Sequence, residues 1–275
     1  MSLPQVVSRD EWLVARRALL AREKELTQVR DALSADRRRL PMVRVEKDYR
    51  FEGPAGEVSL LELFDGHRQL IVQHFMFHPD WEDGCPSCTA ASDENSAGLR
   101  EHLAARDTSF AAVARAPLSK IEAYRLRRGW RFPFYSSYGS DFNYDFHVSF
   151  DESRAPIEYN YRTKAELAQA GLDWFTDGLE MPGFSCFLRD GDEVFHTYST
   201  YARGAEALGG SYYFLDIPPW VARRSGRSPR IAAAAVARRS PTSRRDRRRG
   251  GGPARRSKRP MRARCVSRSS LRDPL

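Results

Sequence analysis

Residues 74–94 read "HFMFHPDWEDGCPSCTAASDE", and the fold turns on how this stretch is understood. An apolar run ends in it, a short acidic loop follows, and then two cysteines, Cys85 and Cys88, open a stretch suited to a helix. Pro86 fits a first helical turn, where a missing amide hydrogen breaks no bond. A thiol at or just before a helix start faces unpaired N–H groups and the positive end of the helix dipole, which stabilise its anion. Such settings bring a thiol pKa from about 8.5 into the range of roughly 3.5–7.5, so that a thiolate exists at neutral pH. A second thiol one turn inward is close enough to attack a mixed disulfide and resolve it. On this reading Cys85 is the candidate nucleophile and Cys88 the resolving thiol.

Two other readings compete. Half of a zinc site has the same C-x-x-C spacing, but it needs two more ligands. The nearby candidates are His74, His78 and Asp80, and no second C-x-x-C or H-x-x-x-H follows. Inert packing is the third reading. The order of apolar run, loop and helix start favours dithiol chemistry, so no metal is assigned. Asp80, Glu82 and Asp83 crowd the first cysteine, and negative charge raises a thiol pKa. A solvated loop is the simple account of them; a proton acceptor for the resolving thiol is the more specific one. Cys186, in "FSCFL", reads as a small buried residue, and Cys265 has no assigned role. His147 and His196 sit in aromatic runs and read as core histidines. No G-x-G-x-x-G or Walker loop is present, so no nucleotide or other cofactor is assigned.

Upstream, Ser8-Arg9-Asp10-Glu11 has the capping-box form. Trp12, Ala15, Leu19, Leu26, Val29 and Leu33 then mark one long amphipathic helix that ends before Pro41. It either lies on the main domain or forms a homodimer contact. Val43 to Phe51 alternates like a strand, Gly53-Pro54-Ala55-Gly56 is a turn, and Ser59 caps a short helix through Phe64. Gln69 to Phe77 is apolar enough for a buried central strand. Pro86 to about Arg106 is broadly helical, weakened at Gly98. Thr108 to Arg115 reads as a second buried strand, Pro117 opens another helix, and "RFPFYSS" returns to strand character. The aromatic region after it resists assignment. A β-hairpin follows around Asp190-Gly191-Asp192, and Ala205 to Leu208 begins a last helix. Alternating strands and helices argue an α/β core with parallel pairing.

The 275-residue chain carries a formal charge of +9, yet the charge is unevenly spread. Residues 221–275 hold 19 Lys+Arg against 2 Asp+Glu, whereas residues 1–220 hold 26 against 34. The body is acidic. The tail lacks aromatic residues and apolar periodicity, so disorder is expected there. No apolar stretch nears the roughly 20 residues of a membrane span. The start, "MSLPQVVSRDEW", lacks the basic-then-apolar pattern of a leader peptide, and a cytoplasmic location is expected.

Several blocks carry a resemblance. "VVSRDEWLVARRALLAREKELTQVRDAL", "PDWEDGCPSC", "RAPLSKIEAYRLRRGW", "SSYGSDFNYDF" and "VFHTYSTYARG" resemble the bacterial family named domain of unknown function 899, placed in the thioredoxin-like superfamily. The resemblance runs from about Val6 to Asp216. It implies a central mixed sheet with helices on both faces and the C-x-x-C at the first βα junction. It also implies a proline, usually cis, before the strand facing the dithiol. "MPGFSCFLRDG" is similar to that strand, which makes Met181-Pro182 the candidate cis peptide, with Pro117 and Pro133 competing. Two departures stand out. Thioredoxin carries Trp directly before its first cysteine, whereas Gly84 stands here and Trp81 lies four residues ahead of Cys85. Peroxiredoxins, which share a hairpin ahead of the first core strand, need a Pro-Thr-Cys arrangement, but Thr89 follows the cysteines. Family members end soon after "YYFLD", so the Arg-rich run beyond "IPPW" is a third departure. Its residues have GC-rich codons, as an out-of-frame reading of a GC-rich gene would give; a genuine basic arm would bind nucleic acid or anionic surfaces.

The expectation is therefore an α/β, thioredoxin-like protein: an N-terminal helix over residues 1–41, the main domain over 42–219 and a disordered basic tail over 220–275. The expected activity is thiol–disulfide exchange by Cys85 and Cys88, supported by Pro86, Trp81 and Pro182, on an unknown thiol or disulfide substrate. The alternatives are a binding protein of the same fold that uses the aromatic surface from Trp130 to Phe150, metal binding at the C-x-x-C, or nucleic-acid binding through the tail.

Overall fold

The Ser8 amide donates to the Glu11 carboxylate (2.9 Å) and the Glu11 amide donates to the Ser8 hydroxyl (3.3 Å). This reciprocal cap starts α1 (Arg9–Arg37) where the Ser-x-x-Glu pattern places it. The computed structural model describes residues 3–208 and residue 210. The tail and Cys265 lie outside the described residues. Each residue of α1 is exposed or half-exposed. Its last turn touches the rest of the fold through Arg37, 5.5 Å over the Tyr198 ring.

After α1 come β1 (Val43–Arg44), β2 (Arg50–Gly53), β3 (Gly56–Ser59) and β4 (Gln69–His74). The middle of the chain forms α2 (Pro86–Asp93), α3 (Ala97–Ala104), β5 (Thr108–Ala114), α4 (Leu118–Arg128) and β6 (Phe134–Ser136). The aromatic region forms α5 (Phe142–Asp145), β7 (Glu158–Tyr159), β8 (Arg162–Thr163) and α6 (Lys164–Gln169). β9 (Gly183–Asp190), β10 (Glu193–Tyr201) and a 3₁₀ turn at Ala202–Leu208 complete the described chain.

Among the described residues, eight strands form one sheet in the order β1-β10-β9-β4-β5-β6-β2-β3. β4 runs parallel to β5, and β5 to β6, as the alternation of strand and helix requires. The β9–β10 hairpin adds to β4 antiparallel. The thioredoxin-like arrangement is thus present: a mixed sheet flanked by helices, with the C-x-x-C directly beyond a central strand.

Two expectations about single elements are corrected. The run from Val43 to Phe51 is two strands, and they sit at opposite parts of the sheet: β1 pairs with β10, β2 with β3 and β6. Between them Lys47 leaves the ladder to bridge Asp141 (2.6 Å) and Asp145 (2.9 Å). The broadly helical stretch expected from Pro86 to Arg106 is two helices, divided at Glu94-Asn95-Ser96, and Gly98 lies inside the second. Ser96 re-caps the chain there by accepting from the Leu99 amide (3.1 Å), which ends one helix and starts the next.

Side chains alternate across the sheet and feed two cores. Ala112 and Ala114 of β5 face a cluster holding Phe75, Trp81, Cys85, Cys88, Tyr124 and Trp130. Ala111 and Val113 face the other way, toward Phe51, Phe64, Phe142, Phe146 and Phe187. A third cluster gathers the aromatic region, with Phe150, Tyr159, Phe175 and Met181.

The second core encloses a polar chain. The His74 ring contacts the Ser185 hydroxyl (2.8 Å), Ser185 contacts Ser199 (2.7 Å), and Ser199 contacts the His196 ring (2.7 Å). Burial, then repulsion from His196, pushes the His74 imidazole down to about 3. His196 is also lowered by burial, against an opposing backbone hydrogen bond at Tyr198. A folded His74 is therefore neutral where an unfolded one, with a pKa of about 6.5, already binds a proton. The His74 contribution to stability is complete above about pH 6.5 and is lost as pH drops toward 3, by up to about 1.4 kcal/mol per unit for one group. Urea unfolding near pH 7 and near pH 5 should show that loss. His74→Gln should remove about one proton from the slope, while an unchanged slope would refute the assignment.

Candidate dithiol site

Beyond β4 the chain stays buried through Phe75, Met76 and Phe77, and the Phe75 amide donates to the Val113 carbonyl of β5 (2.8 Å). It then leaves the sheet as the loop 78–84 and returns where the Cys85 amide donates to the Met76 carbonyl (2.9 Å). Cys85 caps α2 with extended backbone (φ −56°, ψ 129°), and Pro86 is the first helical residue. Cys88 follows one turn later, and the two cysteines approach to 4.0 Å as thiols. The Thr89 amide and hydroxyl both donate to the Cys85 carbonyl (2.9 Å each), and that hydroxyl also meets the Tyr124 hydroxyl at 2.7 Å. α4 thereby steadies the first turn of α2.

The thiols are deep. Cys85 is 1% exposed and Cys88 5%, so a reactant reaches them only when the loop above yields. Trp81 closes that loop from inside, buried in the same cluster as the cysteines. The Lys120 ammonium of α4 donates to the Trp81 carbonyl (3.1 Å) and to the Pro79 carbonyl, and Arg127 pairs with Asp83. Gly84 explains the departure from the thioredoxin pattern. A Cβ there would lie 2.3 Å from a Phe75 ring carbon, so no side chain fits, least of all an indole. The indole enters instead from Trp81. Asp80, Glu82 and Asp83 are exposed, which is the solvated-loop reading. His78 is lowered by burial and by the Arg115 and Lys120 cations, against Asp80.

Several sequence candidates fall elsewhere. His74 lies across the sheet from the dithiol, stacked on Phe146 at 5.9 Å, and does not join Cys85 and Cys88. Among the described residues no three His, Cys, Asp or Glu gather as metal ligands. Burial pushes the Cys186 thiol up to about 11. Pro182 is at the expected end of the sheet, since Gly183 pairs with His74, but its peptide is trans like every other among the described residues. The Met181 amide donates to the Val148 carbonyl (2.8 Å) and Glu180 bridges Ser149 ahead of β9, and the Met181–Pro182 peptide there keeps the trans form that X-Pro bonds ordinarily favour. The aromatic run from Trp130 to Phe150 is mostly interior, although Tyr138 is exposed. Trp130, Phe132, Phe134, Phe142, Phe146 and Phe150 are buried.

One cluster escaped sequence reasoning. Arg115, directly after β5, donates to the buried Glu180 carboxylate (2.7 Å) and to the Tyr144 hydroxyl (3.0 Å), and Ser149 donates to the other Glu180 oxygen (2.6 Å). Burial raises the Glu180 pKa, and Arg115 and Ser149 oppose it. A charged residue ending a buried strand was the available signal; nothing in the sequence names its distant partner.

A search of curated proteins gives no match. Among solved structures, peroxiredoxin Q from Xanthomonas campestris aligns at 13% identity over 62% of this chain and 94% of that one, with a TM-score of 0.39. A PrxQ mutant from Xylella fastidiosa aligns at 10% identity over 62% and 91%, with a TM-score of 0.38. A putative protein disulfide isomerase from Bacteroides thetaiotaomicron aligns at 17% over 62% and 88%, with a TM-score of 0.34. The sequence itself places the chain more firmly. A family model described as "Bacterial protein of unknown function (DUF899)" matches residues 1–240, extending past Trp220, and the chain belongs to that family.

Proposed function

We propose that the protein is a thiol–disulfide oxidoreductase that works through Cys85 and Cys88. The observation that supports this best is their placement: Cys85 caps α2, Cys88 is one turn inward, and 4.0 Å separates them. A Cys85 thiolate at the N-cap lies at the positive end of the α2 dipole, which favours an anion. It attacks one sulfur of a substrate disulfide, forming a mixed disulfide and releasing the other sulfur as a thiolate that takes up a proton. The Cys88 thiolate then attacks Cys85, closing the Cys85–Cys88 disulfide and releasing the second substrate thiol. The substrate gains two electrons, and an external dithiol reductant returns two to the protein. A reducing compartment, the cytoplasm, suits this cycle.

A second reading, a binding protein that keeps the fold without the chemistry, draws support from the 1% exposure of Cys85. Labelling separates the two. Near neutral pH, iodoacetamide should modify Cys85 faster than Cys88. Mild oxidation should give a Cys85–Cys88 disulfide that dithiothreitol reopens. Slow, equal labelling with no such disulfide would sink the redox reading.

The trapping behaviour of single variants is equally specific. With an aromatic disulfide reagent as substrate, Cys85→Ser should lose turnover, and Cys88→Ser should accumulate a mixed disulfide on Cys85. Turnover undiminished in Cys85→Ser would rule out its role as nucleophile.

The loop generates its own prediction. Lys120→Ala removes the ammonium that holds the Pro79 and Trp81 carbonyls, so labelling of Cys85 should quicken several-fold while the fold, followed by circular dichroism, is kept. An unchanged rate would show that this contact does not limit access.

A further inference from the structure

We propose that α1 is the interface of an antiparallel homodimer, two copies of the helix pairing about a two-fold axis between Arg22 and Glu23. This is independent of the redox reading. Trp12, Leu19, Leu26 and Leu33 recur at seven-residue intervals along α1, and each is about half exposed (46%, 48%, 50% and 47%). Val29 on the same side is 62% exposed. Isolated exposed apolar residues are ordinary, but a continuous stripe along an entire helix marks a contact surface. A seven-residue repeat is the period that lets two helices stay in contact by supercoiling. A helix without tertiary packing also draws little stability from propensity alone.

The sequence of the stripe selects its occupant. Around an axis between Arg22 and Glu23, Trp12 lies level with Leu33 of the partner subunit, and Leu19 with Leu26 of the partner subunit. The same operation sets Arg22 against Glu23 of the partner subunit, and Arg9 against Asp36 of the partner subunit. In these pairs apolar residues meet apolar ones and charges meet their opposites, while Val29 falls level with Arg16 of the partner subunit. A parallel pair would instead set Arg22 and Glu23 against themselves. It would also crowd two main domains at one end, because Arg37 holds the last turn of α1 against Tyr198. The antiparallel pair spreads the domains along a helix about 43 Å long. Within one chain Glu23 accepts from Arg16 (2.8 Å), an exposed ion pair that a cross-helix partner can replace at little cost.

The test is the mass of the full chain in solution by light scattering, together with charge exchange. The expected result is a species of twice the 31.4 kDa chain mass. Leu19→Glu with Leu26→Glu should give monomers of unchanged helicity. Arg22→Glu alone and Glu23→Arg alone should each weaken the dimer at least tenfold, and the two together should restore it. A monomer at every concentration would overturn the proposal. So would a dimer indifferent to Leu19 and Leu26, which would use another surface. Failure of the double exchange to rescue would overturn the antiparallel register.

Discussion

The hydrogen bond from the Cys85 amide to the Met76 carbonyl sets the geometry of everything around the dithiol. It closes the loop 78–84 back onto the strand that began it, so α2 starts at a fixed point beyond the sheet. An amide at a helix start has no partner within the helix, and here the preceding strand supplies one. Cys85 is thereby held at the cap, and Cys88 inherits its place one turn on. The absent side chain at Gly84 is the counterpart of this bond, since the Phe75 ring fills the space that a Cβ would need.

The sheet acts as a partition. Successive residues of β4 send Gln73 toward α2, where it accepts from Ser92 (3.3 Å), and His74 into the opposite core. Buried His74, Ser185 and Ser199 and half-buried His196 lie on one side, and two buried cysteines on the other. Each side engages its polar groups by a different means: a side-chain chain through Ser185 and Ser199 that leaves His74 Nδ1 without a partner, or caps and first-turn bonds through Thr89. The loop over the cysteines is fastened from α4, so the stability of that helix and the accessibility of the thiols are linked through Lys120 and Arg127.

Much of this was legible where the signal is local. Ser8 and Glu11 announce α1, Pro86 announces α2, and Asp190-Gly191-Asp192 announces the hairpin, because caps and turns are decided by residues a few positions apart. The central strands β4 and β5 show as apolar runs because both their faces are buried. What failed depends on distant chain. The alternation from Val43 to Phe51 is compatible with one strand, and only the positions of β10 and β6 divide it. Pro182 reads as cis by analogy, yet its peptide is trans, on a segment held by the distant pairing of Met181 with Val148. The aromatic residues from Trp130 to Phe150 look like a surface in one dimension because the helices and loops that cover them lie far along the chain. Burial of the thiols is of the same kind: Cys85 and Cys88 are visible as a motif, but Lys120 and Trp81 decide who reaches them.

The division of residues 43–53 between two parts of one sheet has a consequence for biosynthesis. Val43 pairs with His196 and Glu52 with Ser136. β1 therefore leaves the ribosome well ahead of the strand it needs, by roughly 8–30 s at about 5–20 residues per second. Until β10 emerges, the newly made chain carries a segment with no place to dock and a sheet open on the β9 side. The interval is one in which a chaperone or a neighbouring nascent chain meets an unfinished edge, and the order of synthesis runs against the order of assembly.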